Sequence, residues 1–266
     1  MDSTARPAVH KRLERRPHLG KNAAMQFGPT FYRTAAICSV LSAVTTLGLI
    51  FLPNFFTPVD GFEERMARVH DPAYTLRAWI YFIHPFLVMM AGLAIAMRVR
   101  TVAAGFAIVG LLGFVLWGFT EAAQQTMTLF AFDKWRLAFA TADEATRADI
   151  RTLTMMYDGL WDGMYFLILV GFAIGNFCLG MVLVHLPGLA RVVGAFMFAA
   201  VLLTLTLITR ELGWFSLPEP LASWSYPAIQ PLGRVLIGVW LWRMSKEWLP
   251  LWSTPDPAST GPGHRD

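Results

Sequence analysis

Charged residues are scarce in this chain, and their scarcity argues against a soluble fold. They make up 15% of the 266 residues, against 55% hydrophobic residues, whereas soluble domains average about 25% charged residues. The bases are concentrated near the N-terminus rather than spread over one face, so nucleic acid is not an expected partner. This composition predicts a protein that is solvated by lipid.

The chain also has few cysteines and none of the common catalytic motifs. Cys38 and Cys178 are the two cysteines, and both lie in apolar runs, which excludes a disulfide framework and a cysteine-rich metal cluster. The sequence contains no Gly-x-Ser-x-Gly, His-Glu-x2-His, P-loop or dinucleotide-binding motif. His84 is the only histidine inside an apolar run, so a bis-histidine haem site is not expected. We therefore assign no catalytic residue and no metal site, and the cofactor stays unknown.

Long apolar runs dominate what is present. A membrane-spanning helix needs about 20 mainly apolar residues to cross a hydrocarbon core of about 30 Å. Five runs meet this length without a single Asp, Glu, Lys or Arg; they are residues 34–56, 78–97, 101–120, 163–184 and 192–209. A sixth run, residues 225–242, is weaker because two prolines, Gln230 and Arg234 interrupt it. The sequence predicts an all-α, polytopic bundle of six transmembrane helices over residues 31–245, flanked by tails at 1–30 and 246–266 that lack ordered structure.

The placement of the bases predicts the orientation of this bundle. Lys and Arg next to membrane spans are retained in the cytoplasm. Such residues are concentrated before the first run and recur at every second connection; they are Arg6, Lys11, Arg12, Arg15, Arg16, Lys21, Arg33, Arg98, Arg100, Arg191, Arg243 and Lys246. We expect the protein to lie in the inner membrane of the cell, with both termini in the cytoplasm. The basic tail is a candidate site for anionic lipid, and the alternative is a role in topology alone.

Small residues in the fourth run predict close helix contacts. Gly159-x3-Gly163 and Gly171-x3-Gly175 have the spacing that lets two helix backbones approach each other in lipid. We expect this helix to be central in the bundle. The alternative is a homodimer face or a contact with another subunit of a membrane complex.

Polar side chains inside the runs are the best indicators of function. A charge near the bilayer centre costs about 2.5–3.5 kcal/mol on insertion scales. Most of the polar groups fall toward the extracytoplasmic ends of the predicted helices, which predicts a polar cavity open to that side. The candidate ligand-binding residues are His84, Glu121, Gln125, Asp162, Arg210 and Arg234.

Within this cavity we expect Glu121 and Arg234 to be paired, or to be bridged by His84. The competing interpretation is that charges at helix ends extend to the lipid headgroups. It outweighs a binding role for Arg210 and Asp162, whereas the two interpretations are balanced for Glu121 and Arg234. His84 taken alone is more often a packing residue than a ligand or a base.

Two short motifs support a family resemblance. Glu121-Ala122 ends the third predicted helix, and Leu186-Pro187-x5-Val193-Gly194 leads into the fifth. With the six-helix layout, these motifs resemble a bacterial family of six-helix membrane proteins catalogued only as a domain of unknown function. The resemblance covers about residues 30–245 and implies the fold but no activity. The Arg that often precedes the glutamate by one turn in that family is absent here, where Trp117 and Gly118 stand.

Three classes of function remain open from the sequence. A binding, sensing or transport protein would use the cavity for a small polar or amphipathic ligand. An accessory subunit would bury its glycine and tryptophan faces against another membrane protein. A membrane-embedded enzyme would need a base with an oriented partner, such as His84 with Glu121. We rank binding first, because catalytic motifs are missing and ten tryptophans offer aromatic contact surface.

Overall fold

The structure, a computed structural model, describes residues 27–246, and within that range it contains helices and no strands. Eight α-helices follow one another within these described residues. Their bounds are α1 Pro29–Phe51, α2 Phe62–Ala67, α3 Pro72–Val99, α4 Ala104–Met127, α5 Asp133–Phe139, α6 Glu144–Leu183, α7 Leu189–Glu211 and α8 Glu219–Lys246. Short 3-10 turns follow α1 and α2, and a π-helical turn, Thr128–Phe132, joins α4 to α5.

Five segments of this fold are long and apolar enough to cross a membrane. They are Pro29–Phe55, Pro72–Val99, Ala104–Phe139, Glu144–Leu183 and Leu189–Glu211. The prediction of an all-helical membrane protein is therefore confirmed. The sixth predicted run, 225–242, lies within α8, which is not among the five.

The predicted tails fall almost wholly outside the described residues. Residues 1–26 and 247–266, which include the basic residues up to Lys21, lie there. The first helix, α1, begins at Pro29, beside the predicted boundary at residue 30. Proline suits the first turn of a helix, since its missing N–H would have no intrahelical partner there.

The six long helices form a closed ring. Each packs mainly against two neighbours, in the order α1, α3, α4, α6, α7, α8 and back to α1. The seam between α4 and α6 is the most extensive, and the seam between α7 and α8 is the loosest. The ring places α8 between α1 and α7, although α8 is the least apolar of the six.

Glycines set the closest approach in this ring. A Cβ atom on Gly113 of α4 would lie 2.6 Å from the backbone nitrogen of Gly175 and 2.8 Å from the carbonyl oxygen of Gly171, both in α6. The close packing predicted for the fourth run is observed at its second glycine pair, which contacts α4, but α6 is one member of the ring and not its centre. Gly159 and Gly163 have no atom within 4 Å of a built Cβ, so the first pair packs against no described residue.

Two of the helices extend well beyond the apolar runs from which they were predicted. The helix over 101–120 begins later, at Ala104, and continues through the π turn to Phe139. The run 163–184 is the second half of α6, whose 40 residues span about 60 Å, twice the hydrocarbon thickness. Asp158 and Asp162 therefore lie in the middle of a helix and do not open it. The helix extends back to Glu144 because residues 144–158 contain no Pro or Gly.

The hydrophobic core lies at one end of the ring. It joins the start of α1 to the ends of α3, α6 and α8 through fully buried side chains such as Ala35, Val99, Leu183 and Leu241. A second, smaller cluster lies at the opposite end, where α2 covers α5 and the first half of α6; its buried members are Met66, Phe132, Phe139, Ile150 and Tyr157. The space between these two clusters contains the candidate site.

Candidate functional site

A cavity of about 950 Å³ occupies the centre of the ring between the two clusters. All six ring helices contribute to its wall, together with α2 and the turns beside it. Side chains from the end of α1, the start of α3, the end of α4 and the end of α7 meet there because adjacent helices run antiparallel. The volume is at the upper end of the range of about 300–1,000 Å³ that small-molecule sites occupy.

The deep part of the cavity contains three of the predicted residues. His84 of α3, Glu121 of α4 and Arg234 of α8 all line it, and each is buried, with 3%, 6% and 8% of its surface exposed. The structure therefore brings a histidine, a carboxylate and a guanidinium from three helices to one space.

The predicted pairing of these groups is wrong. Among the described residues Glu121 forms no ion pair with Arg234. His84 does not bridge them either, because its Nδ1 is hydrogen-bonded to the Thr45 hydroxyl of α1 at 2.7 Å, and its ring packs edge-on against Trp117 with centroids 6.1 Å apart. Separate helices hold the two charges on different walls of a wide cavity, and sequence spacing cannot reveal that width.

The other three predicted residues have different surroundings. Gln125 is buried and lines the cavity. Arg210 also lines it, but its side chain is 54% exposed and pairs with Glu211 at 2.8 Å. Asp162 does not line the cavity and is exposed. The inward face of α6 carries Asp158, Trp161, Tyr165, Ile168 and Phe172; Asp162 falls outside that stripe, and its inclusion in the site is corrected.

Arginines and aromatic rings form the end of the cavity nearest α2. Arg136 is 5% exposed, donates to Asp133 at 2.9 Å, and lies over the rings of Phe132 and Tyr74 at 4.2 and 4.8 Å. Tyr157 stacks on Phe132 at 4.5 Å, and its hydroxyl is 2.8 Å from that of Thr128. The π turn brings Thr128 and Phe132 to this position, and such turns are frequent at functional sites.

One ion pair ties α2 to the wall of the cavity. Both Arg65 guanidinium nitrogens bind the carboxylate of Asp158, with Nη1 to Oδ2 at 2.8 Å. The bond to Asp158 raises the pKa of Arg65. Asp158 is thus engaged in a two-pronged contact, rather than extending toward lipid headgroups.

Several lining residues were missed from the sequence. Tyr81, Tyr165 and Tyr226 line the cavity from three helices, and Arg77 of α3 donates to the Leu49 carbonyl at 3.1 Å. Gln230, one turn before Arg234 on α8, is buried in the same wall. The Gln230-x3-Arg234 spacing placed both residues on one helix face and was an available signal. The tyrosines offered none, because aromatic residues near span ends indicate membrane interfaces equally well.

These features define the class of protein as a helical membrane protein with a large cavity inside its helix ring, lined by both polar and apolar side chains. No protein-family model matches the chain, and comparisons with curated proteins and with solved structures find no match either. The resemblance to a six-helix bacterial family therefore stays a prediction.

Proposed function

We propose that this protein binds a small polar or amphipathic molecule, for sensing or transport, in the cavity at the centre of its helix ring. The observation that carries the proposal is a cavity of about 950 Å³ lined by buried polar groups. Burying polar groups against an internal space in an apolar bundle is costly without a function. Catalysis is less well supported, because His84 is bonded to Thr45 and not to Glu121.

The proposal includes six membrane crossings with both termini in the cytoplasm. The ring supports six, because α8 fills the gap between α1 and α7. Charge supports the orientation: Arg33, Arg98, Arg100, Arg191 and Arg243 all lie at the end that carries the packed core, which we place in the cytoplasm. The cavity then opens toward the extracytoplasmic side of the inner membrane.

The accessory-subunit alternative has one observation in its favour. The Gly159 and Gly163 positions contact nothing described, and Met155, one turn before Gly159, is 72% exposed. This strip of α6 would suit a partner helix or a second copy of the chain. The cavity is the larger and more polar feature, so we rank ligand binding first.

Filling the cavity tests the proposed function. Leu207 of α7 lines the cavity, whereas Leu205 of the same helix is 46% exposed and does not. We expect Leu207→Trp to displace the bound molecule and the matched control Leu205→Trp to retain it. Each protein is purified from its native membranes and denatured, and the small molecules released are compared by mass spectrometry.

The expected result is a compound released from the wild type and from Leu205→Trp that is depleted in Leu207→Trp. Equal release from all three proteins, with Leu207→Trp still folded, would contradict a binding role for the cavity. Circular dichroism and size-exclusion profiles establish that each variant is folded.

A further inference from the structure

Buried arginine nitrogens without hydrogen-bond partners cluster around the cavity. Among the described residues four arginine Nε atoms are buried and unbonded, and three of them belong to the cavity-lining Arg68, Arg136 and Arg234. A buried donor that lacks an acceptor costs about 1–3 kcal/mol, and more when it is charged. Because these three arginines line one space, an acceptor bound there would face three guanidinium groups whose hydrogen bonding is incomplete.

The charged side chains that line the cavity also favour an anion, because the positive charges outnumber the negative ones. Six arginines and two carboxylates line the cavity. Arg65, Arg136 and Arg210 each pair with a carboxylate. Within the described part of the chain Arg68, Arg77 and Arg234 have no such pair, and Glu121 is the one lining carboxylate left to oppose them. The cavity therefore carries an excess of positive charge that favours an anion.

Among these arginines, Arg234 has the greatest need for a counter-charge. It is 92% buried, since 8% of its surface is exposed, and its guanidinium makes no hydrogen bond to a described residue. Its carbonyl oxygen accepts from the Ser39 hydroxyl at 2.7 Å, which fixes this part of α8 against α1. An arginine stays protonated even when buried, so its charge needs a counter-charge or a polar ligand.

The surroundings of Arg234 indicate what kind of anion would fit. A guanidinium presents two parallel N–H donors that match a carboxylate or a phosphate. Gln230, one turn away on the same wall, adds amide donors. Apolar side chains such as Ile168, Phe172 and Leu203 line the adjoining wall and would accommodate an organic body.

We infer that the cavity binds an organic anion whose carboxylate or phosphate group is held by Arg234 and whose apolar body lies against α6 and α7. This inference rests on the proposed function and specifies its ligand class. Glu121 faces the same space, and its carboxylate, when ionised, repels such an anion and weakens binding.

The test measures binding of defined probes to the full-length protein in a sugar-headgroup detergent. The probes are octanoate, octyl phosphate, inorganic phosphate and octyltrimethylammonium, titrated while the fluorescence of the cavity tryptophans Trp117 and Trp161 is recorded. We expect saturable binding of both octyl anions. We expect none for the octyl cation, and none for inorganic phosphate, which lacks the apolar body.

Variants test whether Arg234 is the residue that holds the anion. Arg234→Met should weaken binding of the octyl anions by about tenfold or more, whereas Glu121→Gln should leave it unchanged or tighten it. Arg151→Met is the control, an arginine outside the cavity lining that has two carboxylate partners, Glu63 and Glu144, and it should change binding less than about twofold. If Arg234→Met does not fold, Arg234→Lys keeps the charge without the planar fork and should still weaken octyl phosphate binding.

Three outcomes would overturn the inference. Octyltrimethylammonium binding that is lost in Glu121→Gln would make this a cation site. Equal anion binding by the wild type and both Arg234 variants would place the anion elsewhere. Failure of every probe to bind, while a natural compound is still displaced by Leu207→Trp, would reject the anion and leave the proposed function standing.

Discussion

At the scale of single residues, Asp71 shows how one carboxylate organises the start of a helix. Its Oδ1 accepts from the backbone N–H groups of Ala73 and Tyr74 at 2.8 and 3.2 Å, and its Oδ2 accepts from that of Thr57 at 2.7 Å. Asp71 is thereby the N-cap of α3 and ties the preceding loop to it. The bond from the Thr57 amide is the main reason that the pKa of Asp71 is lowered.

The lowered pKa gives the stability a defined pH dependence. A carboxyl whose folded pKa is depressed stabilises the fold fully above its unfolded pKa, which is about 3.9, and loses that contribution as pH falls toward the folded pKa. We expect Asp71→Asn to lower the free energy of unfolding by about 1–2 kcal/mol near pH 7, because an amide nitrogen cannot accept the Thr57 bond.

The measurement is the thermal unfolding midpoint in detergent from pH 7 down to pH 3. The gap between the wild type and Asp71→Asn should be constant near neutrality and should shrink below about pH 4. Asp60→Asn, at an exposed aspartate in the same loop, is the control and should leave the midpoint unchanged. A gap that does not vary with pH would show that the charge of Asp71 has no role.

The candidate site was partly predictable at this scale. Glu121, His84 and Arg234 are conspicuous in the sequence, because an ionisable group within an apolar run is rare unless it faces an interior or water. Their positions relative to one another were not predictable, since they depend on the rotation of three helices. Asp162 was misassigned for the same reason. It lies four residues from Asp158, but Asp158 lines the cavity whereas Asp162 is exposed outside it.

At the scale of the elements, the contact between α4 and α6 depends on glycine. Even one methyl group at Gly113 would meet the backbone of Gly171 and Gly175 at less than 3 Å, and backbone atoms cannot move aside as a flexible side chain can. We expect Gly113→Ala to destabilise the protein by about 1–3 kcal/mol, despite the higher helix propensity of alanine.

The matched control is Gly163→Ala in α6, where a Cβ meets nothing within 4 Å. That variant should be neutral or more stable, by up to about 1 kcal/mol. Thermal midpoints of the two variants in the same detergent check the expectation. Equal midpoints for Gly113→Ala and the wild type would mean that the two helices can separate without loss of packing.

Helix ends were harder to predict than helix positions. The apolar runs end where charged residues begin, so the sequence predicted that the third helix ends near residue 120 and that the fourth begins near residue 163. Backbone hydrogen bonds do not require apolar side chains, and α4 and α6 continue on into polar sequence. There they support the small cluster around Phe132 and Tyr157, which forms the far end of the cavity.

At the scale of the whole molecule, α8 determines whether the bundle is a ring. A Cβ on its Gly238 would lie 2.7 Å from a side-chain carbon of Val40 and 3.0 Å from the Ala36 carbonyl, so α8 fits closely against α1. Its inward face carries Gln230 and Arg234, and these lower its mean hydropathy. The residues that line the cavity are thus the ones that make α8 the least apolar of the six long helices.

Six crossings and five crossings predict opposite locations for the C-terminus. An even number returns the chain to the side on which it started. With the N-terminus in the cytoplasm, we expect a fluorescent protein fused after Asp266 to fluoresce and alkaline phosphatase at the same position to be inactive. Fusions after Thr141, in the turn between α5 and α6, should give the reverse result, because that turn lies at the cavity end.

Active phosphatase after Asp266 together with active phosphatase after Thr141 would mean that α8 does not cross. The cavity would then lack one wall across the membrane, and Arg234 would lie near the interface, where an unpaired guanidinium needs no anion.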